Sequence, residues 1–345
     1  MVVAKWIRRT ALDASPEAQR IRSTIKILIL IALFAGLFWI IPLQEVVQAI
    51  LTADPLYLLL GLAAGTLSTV LTAFEMEPLT RQAGIQHRVG TILNINLAVK
   101  FYTQFMPTSL VASGLRWYRL AQPGGKTAEA LAALAFFRML ETFLTFALGL
   151  GFWLASSQDN TQVGMAWLLG LIGLTVAGWL VITRLSLPLY RIFKARLGER
   201  QEHRLLKPLL RRMDKFLSAV SAYASIPAGD LLAAVFWGTV SSMASIVSGL
   251  WFAQAVGIQI TFLELGWIQA VVLLATQLPF AVAGGLGIRE VTLVAAMGAY
   301  GVSAEQALAL SFLMFVRGIL IALLGGVTEA VDAIRQRRSR DQSKE

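Results

Sequence analysis

Long apolar runs dominate the chain, at about 26–43, 55–74, 128–155, 164–183, 229–256 and 304–330. A helix rises 1.5 Å per residue, so runs of roughly 18–25 apolar residues match a hydrocarbon layer about 30 Å thick. They lack the alternation of an outer-membrane strand. The pattern predicts an all-α, polytopic integral membrane protein with about six full spans.

Two further regions, 91–127 and 264–301, are apolar but broken, near Pro107 in the first and near Pro279, Gly284, Gly285 and Gly287 in the second. Counting Lys and Arg between spans decides how they sit, because basic loops stay in the cytoplasm. The N-terminal segment 1–25 is basic, 44–54 carries only acids, and 75–90 holds Arg81 and Arg88. The segment 184–215 carries ten Lys or Arg against three acids, and the tail 331–345 is basic again. Both flanks of 91–127 then face the cytoplasm and both flanks of 264–301 face outside. Each region therefore reads as a re-entrant helical hairpin, and the two enter from opposite sides. The organisation that follows is a cytoplasmic segment 1–25, a membrane half 26–183, a cytoplasmic basic amphipathic segment 184–228, a second membrane half 229–330 and a cytoplasmic tail 331–345. The first apolar run is too long for a cleaved signal peptide and is expected to be an anchor.

The two halves also look alike. "QFMPTSLVASGLRWYRL" (104–120) aligns with "QLPFAVAGGLGIREVTL" (277–293), and "AEALAALAFFRMLETFL" (128–144) with "AEQALALSFLMFVRGIL" (304–320). Repeats of opposite insertion with discontinuous helices are a transporter pattern.

Composition narrows the class: 57% of residues are hydrophobic and only 14% charged, with a mean hydropathy of +0.67. Cysteine is absent, which excludes disulfides and thiolate metal sites, and His87 and His203 alone make no histidine metal site. No cofactor is expected. The net charge of +10 sits mostly in segments flanking apolar runs, where anionic lipid explains it better than nucleic acid. In particular, 191–220 has helical apolar spacing and reads as a surface helix on an anionic membrane face.

Charge inside the apolar regions is the candidate chemistry. An ionised side chain at bilayer depth costs about 2.5–3.5 kcal/mol on insertion scales. Yet Lys100, Arg116, Arg138, Glu141, Arg289, Glu290 and Arg317 all fall there. Arg138 and Glu141 are three apart on one helix and can pair. Adjacent Arg289 and Glu290 are expected to point apart and to need separate partners. Lys100, Arg116 and Arg119 have an ordinary alternative, lying at or snorkelling to the cytoplasmic interface. Arg317 sits mid-span, where snorkelling is hardest, and Arg289 follows the glycine break. Glu290 reads either as the structural helper of Arg289 or as a proton-coupled carboxylate. Positive charge left unmatched in oil calls for an anionic guest, so Arg116, Arg138, Glu141, Arg289, Glu290 and Arg317 are the expected substrate-binding set. The guest expected is a membrane lipid with an anionic headgroup.

The stretches "PTSLVASGLRWYRL", "FFRMLETF", "GGLGIREVTL" and "GVSAEQALALSFLMFVRGILIALLGG" resemble the flippase-like transmembrane domain of the lysylphosphatidylglycerol synthase family, over about residues 25–335. Where that family often has Gly-Gly-Asp before the first hairpin's arginine, this chain has Ala112-Ser113-Gly114. The resemblance implies movement of a lipid across a bacterial cytoplasmic membrane, with both termini cytoplasmic. Lysyl transfer belongs to a soluble domain of the family's synthases and is not expected here. The rival is a membrane enzyme acting on a polyprenyl phosphate or lipid-linked sugar. Such chemistry needs acid–base or metal-binding carboxylates, whereas Asp54, Asp159, Asp230 and Asp332 stand isolated near span ends.

Overall fold

The computed structural model describes residues 48, 51–105, 109–122, 124–156, 188, 215–216, 219–220, 222–276 and 287–342. Among them, regular structure is all helix: α1 (Pro55–Gln82), α2 (Val89–Phe105), α3 (Ser109–Ala121), α4 (Thr127–Ser156), a 3-10 turn (Ala222–Ser225), α5 (Ala228–Ala255), α6 (Phe262–Thr276), α7 (Ile288–Gly298) and α8 (Ala304–Gln342). Four of these are long and apolar enough to cross a membrane: α1, α4, α5 and the Ala304–Val331 portion of α8. The expected spans at 26–43 and 164–183, the turn residues Pro107, Pro279, Gly284 and Gly285, and most of the basic segment 184–228 lie outside the described residues.

Asp54 starts α1 by accepting the Leu56 N–H at 2.8 Å, with Pro55 in the first turn, where its missing N–H costs nothing. The helix then runs eight residues beyond the expected end at 74. Hydropathy falls at Glu75 and Glu77, yet tertiary contacts carry the helix on. Glu75 is buried against α5, and Arg81 pairs with Asp230 at 2.5 Å.

α1 and α5 lie antiparallel along their whole lengths. Asp54 N donates to Ala255 O at one end, Ser68 and Thr72 meet the Ser241 hydroxyl in the middle, and Arg81 reaches Asp230 at the other. Small residues make this approach possible. Gly61 faces the Phe252 ring, and Gly238 faces Leu144 and Glu75. In lipid, helices associate through such close packing and interhelical hydrogen bonds rather than through the hydrophobic effect.

The packing follows a two-fold scheme. α1 and α5 each have 28 residues and start 173 apart, as do α2 and α6. α2 packs on α8 just as α6 packs on α4, and α2–α3 and α6–α7 each pack as a pair. The backbone meets at equivalent points: Gly325 lies on Leu97, and Gly149 on Ala270, positions related by offsets of 173 and 176. Even the cores correspond. Leu79, Ile92, Ile95, Val99 and Leu120 fill one cluster, and Phe252, Leu265, Ile268, Val272 and Leu293, each 173 residues later, fill the other. The short arms are too short to cross alone; α7, with 11 residues, is about 16 Å long.

Beside the first core, Tyr223 stacks on Phe136 with ring centroids 4.4 Å apart, and its hydroxyl donates to Leu79 O at 2.7 Å. Burial raises its pKa above the ordinary phenol range, so it serves as a neutral donor.

A Cβ at position 325 would collide with the Leu97 carbonyl, whereas one at position 151 meets nothing within 4 Å. Gly325→Ala is therefore expected to destabilise the protein by about 1–3 kcal/mol. Gly151→Ala should leave stability level or slightly raised, both read as thermal midpoints of the detergent-purified protein.

Candidate functional site

Arg317 extends from the middle of α8 towards the α1–α5 seam. Its Nη1 donates to Ser248 Oγ at 2.9 Å, and Ser248 Oγ in turn donates to Gly61 O at 2.5 Å. The side chain passes so close over Gly65 that any Cβ there would strike it. One turn along α1, Thr69 accepts from Lys100 Nζ at 3.0 Å and passes its own proton to Gly65 O. Lys100, on α2, lies within electrostatic reach of Arg317, Arg116 and Glu141. Lys100 itself is exposed rather than packed into the core.

Arg116, on α3, belongs to the same group. It is half-buried, and its Nε is fully buried with no hydrogen-bond partner among the described residues. Arg119, one turn on, is different: it forms an ion pair with Glu329 of α8, and Tyr102 donates to the same carboxylate at 3.4 Å. Of the two arginines first read as interfacial, one is tied to α8 and the other faces the interior. Arg138 pairs with Glu141 at 2.7 Å, as the three-residue spacing predicts, on an exposed face of α4.

The second hairpin corrects one expectation. Arg289 and Glu290 do not point apart: Arg289 Nη2 and Nε lie 2.6 and 3.1 Å from Glu290 Oε1. Both sit in the first turn of α7, where Glu290 folds back so that its Oε2 accepts the Gly287 N–H at 2.6 Å. That leaves Oε1 for the arginine, which is long enough to wrap round to it. Ser311 of α8 closes the network, donating to Glu290 Oε1 at 2.8 Å and accepting from Arg289 Nε at 2.9 Å. Gly287 has φ +88°, a backbone region that side chains disfavour, which is why glycine precedes the helix. Phe315 lies beneath the guanidinium, 5.7 Å from ring centroid to Cζ.

Arg289 is therefore charge-matched by its own neighbour. Arg317, Lys100 and Arg116 have no carboxylate hydrogen-bonded to them among the described residues. The charges of Arg317 and Arg289 still interact. Electrostatic coupling likewise links Arg317 to Lys100, Lys100 to Arg116, and Arg116 to Arg138 on the exposed face of α4.

Several participants were not singled out in the sequence. Glu75 is 4% exposed, and its Oε1 has no hydrogen-bond partner among the described residues; Glu141 is its charged neighbour. It was read as the loop after a span. Ser248, Thr69 and Ser311 carry no signal in a hydropathy pattern. Asn96 and Gln269, 173 residues apart, each bury amide atoms without a described partner. The repeat alignment itself makes them equivalent and was the available signal.

Four helices able to span a membrane, with cations set among them and the shorter helices, define a polytopic membrane protein. The family model for the lysylphosphatidylglycerol synthase TM region matches residues 24–326, and the chain belongs to that family. No curated protein and no solved structure matches it.

Removing one partner of a buried ion pair strands the other. Glu290→Ala strips both the Arg289 guanidinium and the Gly287 N–H, and is expected to cost about 3–5 kcal/mol. An unchanged thermal midpoint for this variant would refute a structural role for Glu290.

Proposed function

We propose that the chain carries a lipid with an anionic headgroup across the cytoplasmic membrane, using Arg317, Lys100 and Arg116 as the headgroup site. One observation carries this reading: cations from three different helices lie in the membrane-spanning region with no carboxylate hydrogen-bonded to them among the described residues, Arg317 and Lys100 meeting only the Ser248 and Thr69 hydroxyls and Arg116 leaving its buried Nε without a described partner. Such charge is costly in a medium of low dielectric unless a counter-ion completes it. A headgroup supplies that counter-ion while its acyl chains remain in the bilayer.

In this reading α2–α3 and α6–α7 are re-entrant hairpins entering from opposite sides, and the duplicated units form an inverted repeat. The antiparallel α1–α5 pair, the paired cores and the shared 173-residue offset support it. The basic N-terminal segment, middle segment and tail support a cytoplasmic location for both termini. Rocking of one repeat against the other exposes the site to each leaflet in turn. The Arg289–Glu290–Ser311 network then acts as scaffold, holding the second hairpin's arm on α8, and Arg138–Glu141 rims the site on α4.

Charge neutralisation lowers the barrier for a headgroup that would otherwise enter hydrocarbon. Losing one charge-assisted contact of about 1.5–3 kcal/mol slows transfer roughly tenfold or more. Arg317→Gln is expected to do so in proteoliposomes carrying tail-labelled phosphatidylglycerol or phosphatidic acid, with Arg317→Lys retaining part of the rate. Equal rates for wild type and Arg317→Gln with both lipids would sink the proposed site.

A further inference from the structure

The charges of the site do more than ask for an anion; they count it. Arg289, Arg317, Lys100, Arg116 and Arg138 make five cations, against which stand Glu290, Glu141 and Glu75. Among the described residues the remaining excess is two positive charges, or three when Glu75 carries a proton. Of the other charged groups on these helices, Arg119 pairs with Glu329 and Arg81 with Glu77 and Asp230, while Glu129 and Glu305 lie in the first turns of α4 and α8. The hairpin turns 106–108 and 277–286 contain no acidic residue.

The excess is also extended rather than focused. Lys100 and Arg317 meet α1 one turn apart, at Thr69 and over Gly65, and Arg116 is electrostatically coupled to Lys100, so the excess is shared by α8, α2 and α3. A phosphodiester headgroup brings a single negative charge and leaves such an excess under-matched. A terminal phosphate carries about 1.5–2 negative charges at pH 7, and an inner phosphate adds one more. That total matches an excess of two to three, spread over two phosphoryl groups.

Resting on the lipid-transport reading above, we infer that the headgroup is a diphosphate monoester on a lipid tail, bound along Arg317, Lys100 and Arg116. Lys100 is the residue that distinguishes it, since it lies one turn along α1 from Arg317 and adds the cation that a second phosphoryl group needs. Thr69 orients the ammonium, and Ser248 orients the Arg317 guanidinium.

The test is equilibrium binding to the full chain in zwitterionic phosphatidylcholine nanodiscs at physiological salt. The probes are farnesyl diphosphate, short-chain phosphatidylglycerol and inorganic pyrophosphate. Farnesyl diphosphate is expected to bind at least about tenfold more tightly than phosphatidylglycerol, the equivalent of 1.4 kcal/mol. Lys100→Met should abolish that preference, and Lys100→Arg should restore it; Arg317→Gln provides the same reading if Lys100→Met fails to fold. Phosphatidylglycerol binding as tightly as farnesyl diphosphate, still dependent on Arg317, overturns the diphosphate assignment and leaves lipid transport standing. Pyrophosphate binding as tightly as farnesyl diphosphate overturns it in favour of a free anion. Binding of every probe that ignores both Lys100 and Arg317 brings down the site and the transport reading together.

Discussion

The energetic cost of positive charge in a low-dielectric interior governs this protein. Hydrocarbon cannot solvate a guanidinium or an ammonium, so each must meet hydroxyls, carbonyls, carboxylates or a guest. The α1–α5 seam exists in a form that meets this need. Its glycines let two backbones approach, and its serines and threonines then offer hydroxyls to Arg317 and Lys100 without cutting the helices' own hydrogen bonds. The same hydroxyls also return protons to carbonyls within or across the seam, as Ser248 does to Gly61, so no donor is stranded.

The two halves share a packing frame, and their charged residues differ within it. Core positions keep their kind across the repeat: Ile92 matches Leu265, Ile95 matches Ile268 and Leu120 matches Leu293. Charged positions do not. Arg116 and Arg289 are equivalent, yet only Arg289 has a carboxylate next to it, because the residue after Arg116 is Trp117. Lys100 corresponds to Leu273, and Arg317 to Glu141. The second half thus anchors its arginine, while the first leaves Arg116 facing the interior. Packing tolerates exchange among apolar side chains of similar size, so a shared backbone survives while the charges diverge.

Close helix contact explains the residues that hydropathy left unexplained. Gly149 and Gly325 are unremarkable in an apolar run, but they are where α6 and α2 touch the long helices of the opposite repeat. Gly238 leaves room for the Glu75 carboxylate, so a glutamate that looks like a span terminus is enclosed between helices instead. The helix that holds it runs on to Gln82, past the point where its hydropathy falls, and stops just before Gly84, whose φ of +73° leaves the helical region.

Hydropathy, the order of basic segments and the two aligned motifs were enough to read an all-helical membrane protein built from two similar halves. Both rest on local chain properties: apolar runs of membrane length, proline and glycine breaks, and residues in a shared order. The Arg138–Glu141 pair was legible for the same reason, since helical periodicity alone brings those two side chains together. Which cations are matched was not legible, because that depends on neighbours distant in the chain. Glu329 takes Arg119 from 210 residues away, Ser248 meets Arg317 from 69 away, and the first turn of α7 folds Glu290 and Arg289 onto one another against simple helical geometry. Charge matching acts through space over a few ångströms, and only the packed helices decide which groups come that close.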